Sequence, residues 1–513
     1  MTVSTPSEEL NRSPWLDTTP ASDYPSLRGD LTAEVVVVGA GITGLTLARL
    51  LCAAGKDVVV LEARQICAGA TGFTTAKLSA LHSLIYSTLS AKHGPAGAAD
   101  YAAANLAGIQ TLLQLIDNDS IECELEQRDA ITYVTDVSRV QAIHDEVRAA
   151  QEAGLDARLA QDTALPFPIA AAVELPGQWQ VHPRKLALGL AAGAASLGAR
   201  IFQDSRVTDL DANSRVVSAA EGSVKAQYVV LATHLPFSAH GLYFARAKAL
   251  RSYAIHVRLD AGANRPSAML ISADEVSRSL RTIADEGLIV GGEGHPVGRA
   301  SDTQARYLAL EDWARQHFPV AAIEHRWSAQ DYQTLDLLPY VGKLASGTEG
   351  VLTATGYGKW GMSNGAAAAL VLRDEILGTD NPYAARFAST RLNAIQSMKN
   401  AALDNLAVAQ HLVGDRLHAL LADHANDLPL GCGALVELEH QTIAAFRDED
   451  GELHGLSPAC THLGCYVAFN DAERSWDCPC HGSRFDLYGA VLEGPALEPL
   501  TKLTGTPAER EED

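Results

Sequence analysis

Basic residues are in short supply in this chain. Its 513 residues include 40 Lys+Arg against 62 Asp+Glu, a net charge of −22. That balance argues against nucleic acid and anionic membrane as natural partners, since both select for positive charge. The opening MTVSTPSEELNRSPWLDTTPASDYPSLRGD lacks a basic-then-apolar export pattern and a twin arginine, so a cytoplasmic setting is expected. Long apolar runs are missing too. Residues 186–199, LALGLAAGAASLGA, fall short of the roughly 20 apolar residues of a membrane span. They read as a buried helix, and no integral membrane segment is expected. Internal repeats and low-complexity tracts are also absent.

What is present begins with length, which favours two or three domains. Four of the eight cysteines fall in CTHLGC (460–465) and CPCHGS (478–483), interleaved with His462 and His481. Three chemistries accept such a crowd: structural disulfides, a zinc ribbon or an iron–sulfur centre. A reducing compartment disfavours the first. The other cysteines, Cys52, Cys67, Cys123 and Cys432, show no ligand spacing and read as packing residues.

The clearest signal upstream is AEVVVVGAGITGLTLARLLCAAGKDVVVLEAR (33–64). The valines 35–38 read as a buried parallel strand feeding Gly39-Ala40-Gly41-Ile42-Thr43-Gly44, a helix to about Ala54, and a second strand over 57–61. Glu62 closes that strand at the separation from Gly39 that the G-x-G-x-x-G fingerprint requires. Gly39 permits the tight turn, Gly41 admits a pyrophosphate to the backbone, and Gly44 lets helix pack on strand. The helix N-terminus offers free N–H groups to the phosphates, and Glu62 suits ribose hydroxyls.

FAD and NAD are not separated by the fingerprint itself. Residues 33–378 resemble the D-amino-acid oxidase and glycine oxidase superfamily of FAD enzymes. The resemblance rests on GATGFTTAK (69–77), YVVLAT (228–233), D-x-x-P-x-x-G (336–342) and TGYGKWGMSNG (355–365). It implies FAD contacts from Glu62, Ala63 and Arg64, from Thr71 and Thr74, from Val207 and Thr233, and from Gly356, Gly358, Gly361 and Met362. A helix beginning after Gly361 would aim its positive dipole end at the flavin pyrimidine. The chain departs from the family at Thr71–Ala76 and at Asn364, where many relatives carry proline. Catalytic residues are not identified. Lys77 is a charge near the flavin or an exposed loop lysine. Arg251 and Tyr253 occupy a region that faces substrate in the family, where an arginine could clamp a carboxylate; a solvated arginine and a packed tyrosine are the alternative.

The texture changes after residue 378. Residues 379–425 read as amphipathic helices, a stiff linker. Short strands bounded by Gly, Asp or Pro follow over 426–513. Zinc ribbons use paired C-x-x-C knuckles, whereas this segment offers C-x-H and C-x-x-H with two cysteines to spare. CTHLGC and CPCHGS resemble the Rieske proteins of respiratory and photosynthetic cytochrome complexes. That resemblance implies a [2Fe–2S] centre with Cys460 and Cys478 on one iron, His462 and His481 on the other, and a disulfide between Cys465 and Cys480.

The expected architecture is therefore α/β with an added β domain. An N-terminal extension (1–30) precedes a Rossmann-like FAD domain carrying an inserted antiparallel substrate domain (31–378). A helical linker (379–425) and an all-β Rieske domain (426–513) follow. The whole chain resembles a bacterial family that fuses a glycine-oxidase-like flavoprotein to a Rieske domain. The implied activity is hydride transfer from a small amine or amino-acid-like substrate to FAD, with electrons relayed to the cluster and on to an unknown acceptor. An electron-transfer module fed by a reductase or NAD(P)H, or a redox sensor, is the alternative; no second nucleotide fingerprint is visible. A Rieske oxygenase is disfavoured, because residues 482–513 hold no histidine for a mononuclear iron.

High-potential Rieske relatives place a serine and a tyrosine after the last histidine, and this chain has Ser483 and Phe485. One hydrogen bond toward the cluster sulfurs is kept and one is absent. The midpoint potential is expected below that of quinol-oxidising Rieske proteins, and protein-film voltammetry giving a value equal to theirs would sink the argument.

Overall fold

The structure is a computed structural model describing residues 12–283, 287–300, 302–391, 428–438 and 441–503. The contacts divide it into two compact units. One comprises Met1–His234, Ser252–Gly294 and Tyr307–Arg391, the other Leu235–Arg251, His295–Arg306 and Leu392–Asp513. Most of the expected linker, from residue 392 onward, lies outside the described residues; before it runs a short helix, Ala384–Phe387.

The first unit is built on an eight-stranded sheet. Its central strand, Leu31–Val38, pairs in parallel with Gly222–Leu231 on one side and Val58–Leu61 on the other. Arg200–Phe202 and Val351–Thr355 extend the parallel set, and Tyr340–Lys343 closes one edge antiparallel. Val35, Val36, Val37 and Val38 are all buried, as strands covered on both faces require. The helix Gly361–Leu377 is buried along most of its length and packs against the helices Ile42–Ala53 and Ile85–Asn118. Its run of alanines permits that central position, because small side chains let helix backbones approach closely. The long helix Ile85–Asn118 bends at Gly94, where φ is 72° and Pro95 follows.

A nine-stranded sheet forms the expected inserted layer, in the order Val320–Thr334, Ala247–Leu259, Gly287–Pro296, Arg278–Thr282, Met269–Ser272, Glu126–Val134, Ala171–Gln180, Lys77–Leu78, with Arg158–Leu159 beside Ala171–Gln180. Antiparallel pairs predominate among its determined registers, and Met269–Ser272 runs parallel to Glu126–Val134. The N-terminal extension is not a loose tail from residue 13 onward. Trp15 is fully buried, its indole donates to the Thr74 carbonyl at 2.7 Å, and Ser13 donates to the Gly72 carbonyl at 2.6 Å.

In the second unit, Gly433–Leu438, Gln441–Arg447 and Leu453–Leu456 form a three-stranded antiparallel sheet. Ala468–Asn470, Ser475–Asp477, Arg484–Phe485 and Val491–Glu493 form a four-stranded one. Around the cysteines these sheets bury Phe446, Leu456, Trp476, Phe485 and Leu500.

Asp336, the acid of the D-x-x-P-x-x-G stretch, is a structural anchor. It takes two hydrogen bonds from the Arg391 fork, at 2.6 and 2.7 Å, and Arg391 also donates to the carbonyls of Leu338 and Pro339. Burial alone would raise the Asp336 pKa, but the Arg391 fork outweighs it and holds the carboxyl below its ordinary value. Asp336→Ala is expected to cost about 3 kcal/mol, because it strands a buried guanidinium. With a depressed folded pKa, this contribution is complete above about pH 4 and is lost as pH falls through the folded value. Calorimetry should show the variant melting lower at pH 7, with the difference shrinking in acid.

Candidate cofactor sites

The dinucleotide turn forms where the first strand meets its helix. Gly39 has φ +110°, and a Cβ there would lie 2.4 Å from the Ala232 carbonyl oxygen and 3.5 Å from the Thr233 nitrogen. A Cβ on Gly44 would lie 2.0 Å from the Gly39 oxygen, so only glycine lets the helix begin this close to the strand. Around that N-terminus Thr71 Oγ1 accepts the Ile42 N–H at 3.1 Å. Glu62 accepts the Ala40 N–H at 2.8 Å on one carboxylate oxygen and the Arg64 N–H at 3.0 Å on the other. Each oxygen keeps capacity for a further donor, as ribose hydroxyls would need. Gly39, Gly41, Gly44, Glu62, Arg64, Thr71 and Thr233 thus come together at one helix end. Ala63 lies between Glu62 and Arg64. Val207 is buried beside Arg206, whose pKa burial lowers while Arg64 and Glu62 act on it from close by. Thr74 is tied by its carbonyl to Trp15.

The second expected segment is joined to the first. The Tyr357 hydroxyl lies 2.9 Å from Thr43 Oγ1, at the start of the dinucleotide helix. Gly356 and Gly358 have φ of +81° and +58°, and the helix Gly361–Leu377 starts directly after, with Met362 buried. Beside this start lies a polar chain that sequence reasoning missed. His82 stacks on Trp360 with centroids 4.4 Å apart. Its Nε2–H donates to the Ser79 carbonyl at 2.7 Å, which leaves Nδ1 to accept the Tyr101 hydroxyl at 2.7 Å. Asn364 Nδ2 donates to Tyr101 at 3.0 Å, and Asn105 Nδ2 donates to Asn364 Oδ1 at 3.1 Å. Burial pushes the His82 pKa down to about 3, so the ring is neutral. The asparagine standing where many relatives carry proline therefore has a role: its side chain closes this network.

The catalytic candidates separate. Lys77 is neither exposed nor on a loop. It lies in the strand Lys77–Leu78, and its Nζ donates to the Leu270 carbonyl and the Ser279 hydroxyl, each at 2.6 Å. Burial, helped by Arg281, lowers its pKa to about 7. Tyr253 is a buried ring edge-on to Tyr307 at 5.0 Å. Arg251 is not solvated. It belongs to the second unit, 1% exposed, with Glu473, Asp477 and Glu493 carboxylates 3.9–4.0 Å away, so its charge is engaged by protein acids.

In the second unit the two cysteine stretches share one backbone pattern. In each, the N–H of residue one bonds the carbonyl of residue six, and the N–H of residue five bonds the carbonyl of residue one. The pairs are Cys460 N to Cys465 O at 2.8 Å and Gly464 N to Cys460 O at 2.8 Å, then Cys478 N to Ser483 O at 2.8 Å and Gly482 N to Cys478 O at 3.0 Å. Gly464 and Gly482 have φ of +77° and +78°, which only glycine adopts readily. Cys465 and Cys480 are joined in a disulfide with Cα atoms 6.5 Å apart.

Although the sulfurs of Cys465, Cys478 and Cys480 form one close group, two of them are spent in the bridge. Cys478 is left with Cys460, its hydrogen-bonding neighbour; the shared proton pushes Cys460 down and Cys478 up. The imidazoles of His462 and His481 lie 5.1 Å apart. Burial lowers both, His481 to about 4, so both are neutral and suited to metal ligation. His462 Nδ1 is buried without a hydrogen-bond partner, an orphan that an iron would satisfy. Two thiols and two neutral imidazoles on paired loops fit a Rieske centre and leave no cysteines over for a zinc ribbon. Elsewhere burial pushes the Cys67 and Cys123 thiols up to about 12 and 11, as packing residues behave.

Comparison with known proteins supports both cofactors. The family model described as FAD dependent oxidoreductase matches residues 34–375, and that of the Rieske [2Fe-2S] domain matches 418–504. The chain belongs to the FAD-dependent oxidoreductase family and carries a C-terminal Rieske domain; its cofactors are FAD and a [2Fe–2S] cluster. It is 33% identical to YhfW of Bacillus subtilis (strain 168), which bears the name of a Rieske 2Fe-2S iron-sulfur protein, over 95% of this chain and 97% of that one. It is 38% identical to the cytochrome b6-f complex iron-sulfur subunit 2 of Nostoc sp. over 18% of this chain and 52% of that one. Glycine oxidase from Geobacillus kaustophilus shares the fold at a TM-score of 0.59 and 20% identity, covering 70% of this chain and 99% of that one. Among the described residues no helix is long and apolar enough to cross a membrane.

Ser483 accepts the Ala496 N–H at 3.0 Å and has its hydroxyl within hydrogen-bonding reach of the Cys460 sulfur. Ser483→Ala should lower the cluster potential by on the order of 60 mV, the equivalent of ~1.4 kcal/mol of lost hydrogen bonding to the reduced form. An unchanged voltammetric midpoint would show that the hydroxyl does not act on the cluster.

Proposed function

We propose that this oxidoreductase oxidises a small amine or amino-acid-like substrate at the carbon beside nitrogen, and that the electrons leave through the Rieske cluster to a separate acceptor. The observation that carries the reading is the pairing, in one chain, of the dinucleotide turn at Gly39–Gly44 with the cluster loops and their orphaned His462 Nδ1. Bound FAD supplies two-electron hydride chemistry, and a one-electron centre alongside it makes sense as an outlet for those electrons. The glycine oxidase whose fold this chain shares supports the choice of an amine class.

The chain's own residues have definable parts in this reading. Thr71 and Glu62 order the amides at the helix N-terminus where the pyrophosphate is expected. The neutral His82 chain fixes Trp360 and the first turn of the helix Gly361–Leu377. Lys77, buried and lowered to about 7, can hold or release a proton near neutral pH, which makes it a candidate proton carrier in this reading. Residues 1–30, 31–378, 379–425 and 426–513 remain our assignment of extension, flavin domain, linker and Rieske domain, and a cytoplasmic setting belongs to the same reading.

Anaerobic titration of the purified protein with a panel of amines and amino acids tests it. At least one should bleach the flavin and then raise the EPR signal of a reduced Rieske centre. Bleaching by NADPH with none by any amine would replace this reading with an electron-transfer module.

A further inference from the structure

Two stretches from the middle of the chain, Leu235–Arg251 and His295–Arg306, belong to the same compact unit as the cluster loops. Neither carries a ligand motif, yet both reach the loops. The Phe244 ring stands edge-on to both iron-binding imidazoles, with centroids 5.0 Å from His462 and 4.8 Å from His481 and interplanar angles of 81° and 72°. Since those imidazoles are themselves 5.1 Å apart, one phenyl ring covers the pair.

The ring is held from behind. Tyr243 next to it is fully buried, with the Arg246 guanidinium 5.3 Å from its centroid. Farther along, Arg251 stands among Glu473, Asp477 and Glu493. The Ala249 carbonyl accepts the Val297 N–H at 3.2 Å, which ties the first stretch to the second. On that second stretch the Thr303 hydroxyl bonds Asn470 at 2.7 Å and accepts the Ala472 N–H at 3.0 Å. Gly298 lies so near the second cluster loop that a Cβ would be 2.7 Å from the Pro479 nitrogen. A ring fixed in this way over metal ligands controls water access and local dielectric.

We propose that Phe244 is a built-in cover that closes the histidine edge of the cluster to water and to docking partners, so that a soluble electron acceptor must approach by another face. This rests on the cluster reading above. The test uses full-length holoprotein with the cluster reduced under anaerobic conditions. Reoxidation by ferricyanide, one electron from the cluster to each ferricyanide, is followed at the cluster absorbance, and deuterium entry from D2O by pulsed EPR.

Phe244→Ala should speed reoxidation about tenfold and admit deuterium faster. Thr303→Ala, which loosens the second stretch without uncovering the imidazoles, should change both by less than about twofold. If Phe244→Ala does not retain its cluster, Phe244→Leu carries the same test. A Phe244 variant that behaves as wild type, or a Thr303→Ala rate that rises equally, overturns the cover alone. A wild-type protein without a Rieske EPR signal overturns the cluster reading and the cover with it.

Discussion

The flavin half of this molecule depends on a contact that leaves no room for a side chain. At Gly44 a methyl group would meet the Gly39 carbonyl oxygen at 2.0 Å, so the helix Ile42–Ala53 starts directly against the end of the central strand. From that placement the rest follows. Thr71 and Glu62 can reach the amides at the helix start, and Thr43 can meet the hydroxyl of Tyr357. Through Tyr357 the glycine turn at 356–358 and the buried helix behind it are fixed relative to the dinucleotide turn.

Much of this was legible in the sequence, because both cofactor sites are encoded by short motifs whose residues act near one another along the chain. The valine run, the glycines 39, 41 and 44, the terminal Glu62 and the two cysteine stretches each carry their geometry locally. What was not legible depends on distant partners. Lys77 reads as a loop charge until Leu270 and Ser279 are brought to its amine. Arg251 reads as a substrate clamp or a solvated arginine until its guanidinium is seen among three acids that follow it by more than two hundred residues in the chain. His82, Phe244 and Thr303 sit in no motif at all, and only tertiary packing gives them partners. The helical linker, expected over 379–425, falls mostly outside the described residues.

The second unit shows why a cluster loop needs more than its ligands. Asp477, next to Cys478, is fully engaged by Arg484 at 3.0 Å and faces Arg251 at 3.9 Å. Burial alone would raise its pKa, but the two arginines hold it down. Two buried guanidiniums with the buried Asp477 and the partly exposed Glu473 and Glu493 form a network in which each charge has an opposite neighbour, the condition under which burying charge is tolerated. Such networks add little to stability relative to an apolar core. They do fix geometry, and here the strand they fix leads straight into the second cluster loop.

The bonds between Thr303 and Asp471 span 168 residues of chain, and this has a bearing on how the protein is made. Long-range closures are entropically costly and are met late in folding. The strands around the cluster loops pair with segments that precede them by more than 160 residues in the chain. The loops that would hold the cluster are thus completed by residues from the middle of the chain, Phe244 and Gly298 among them. A module cut out at residues 418–504, the span of the Rieske match, would carry all four cysteine and histidine positions of the two loops and yet lack Phe244, Arg251, Gly298 and Thr303, which pack against it.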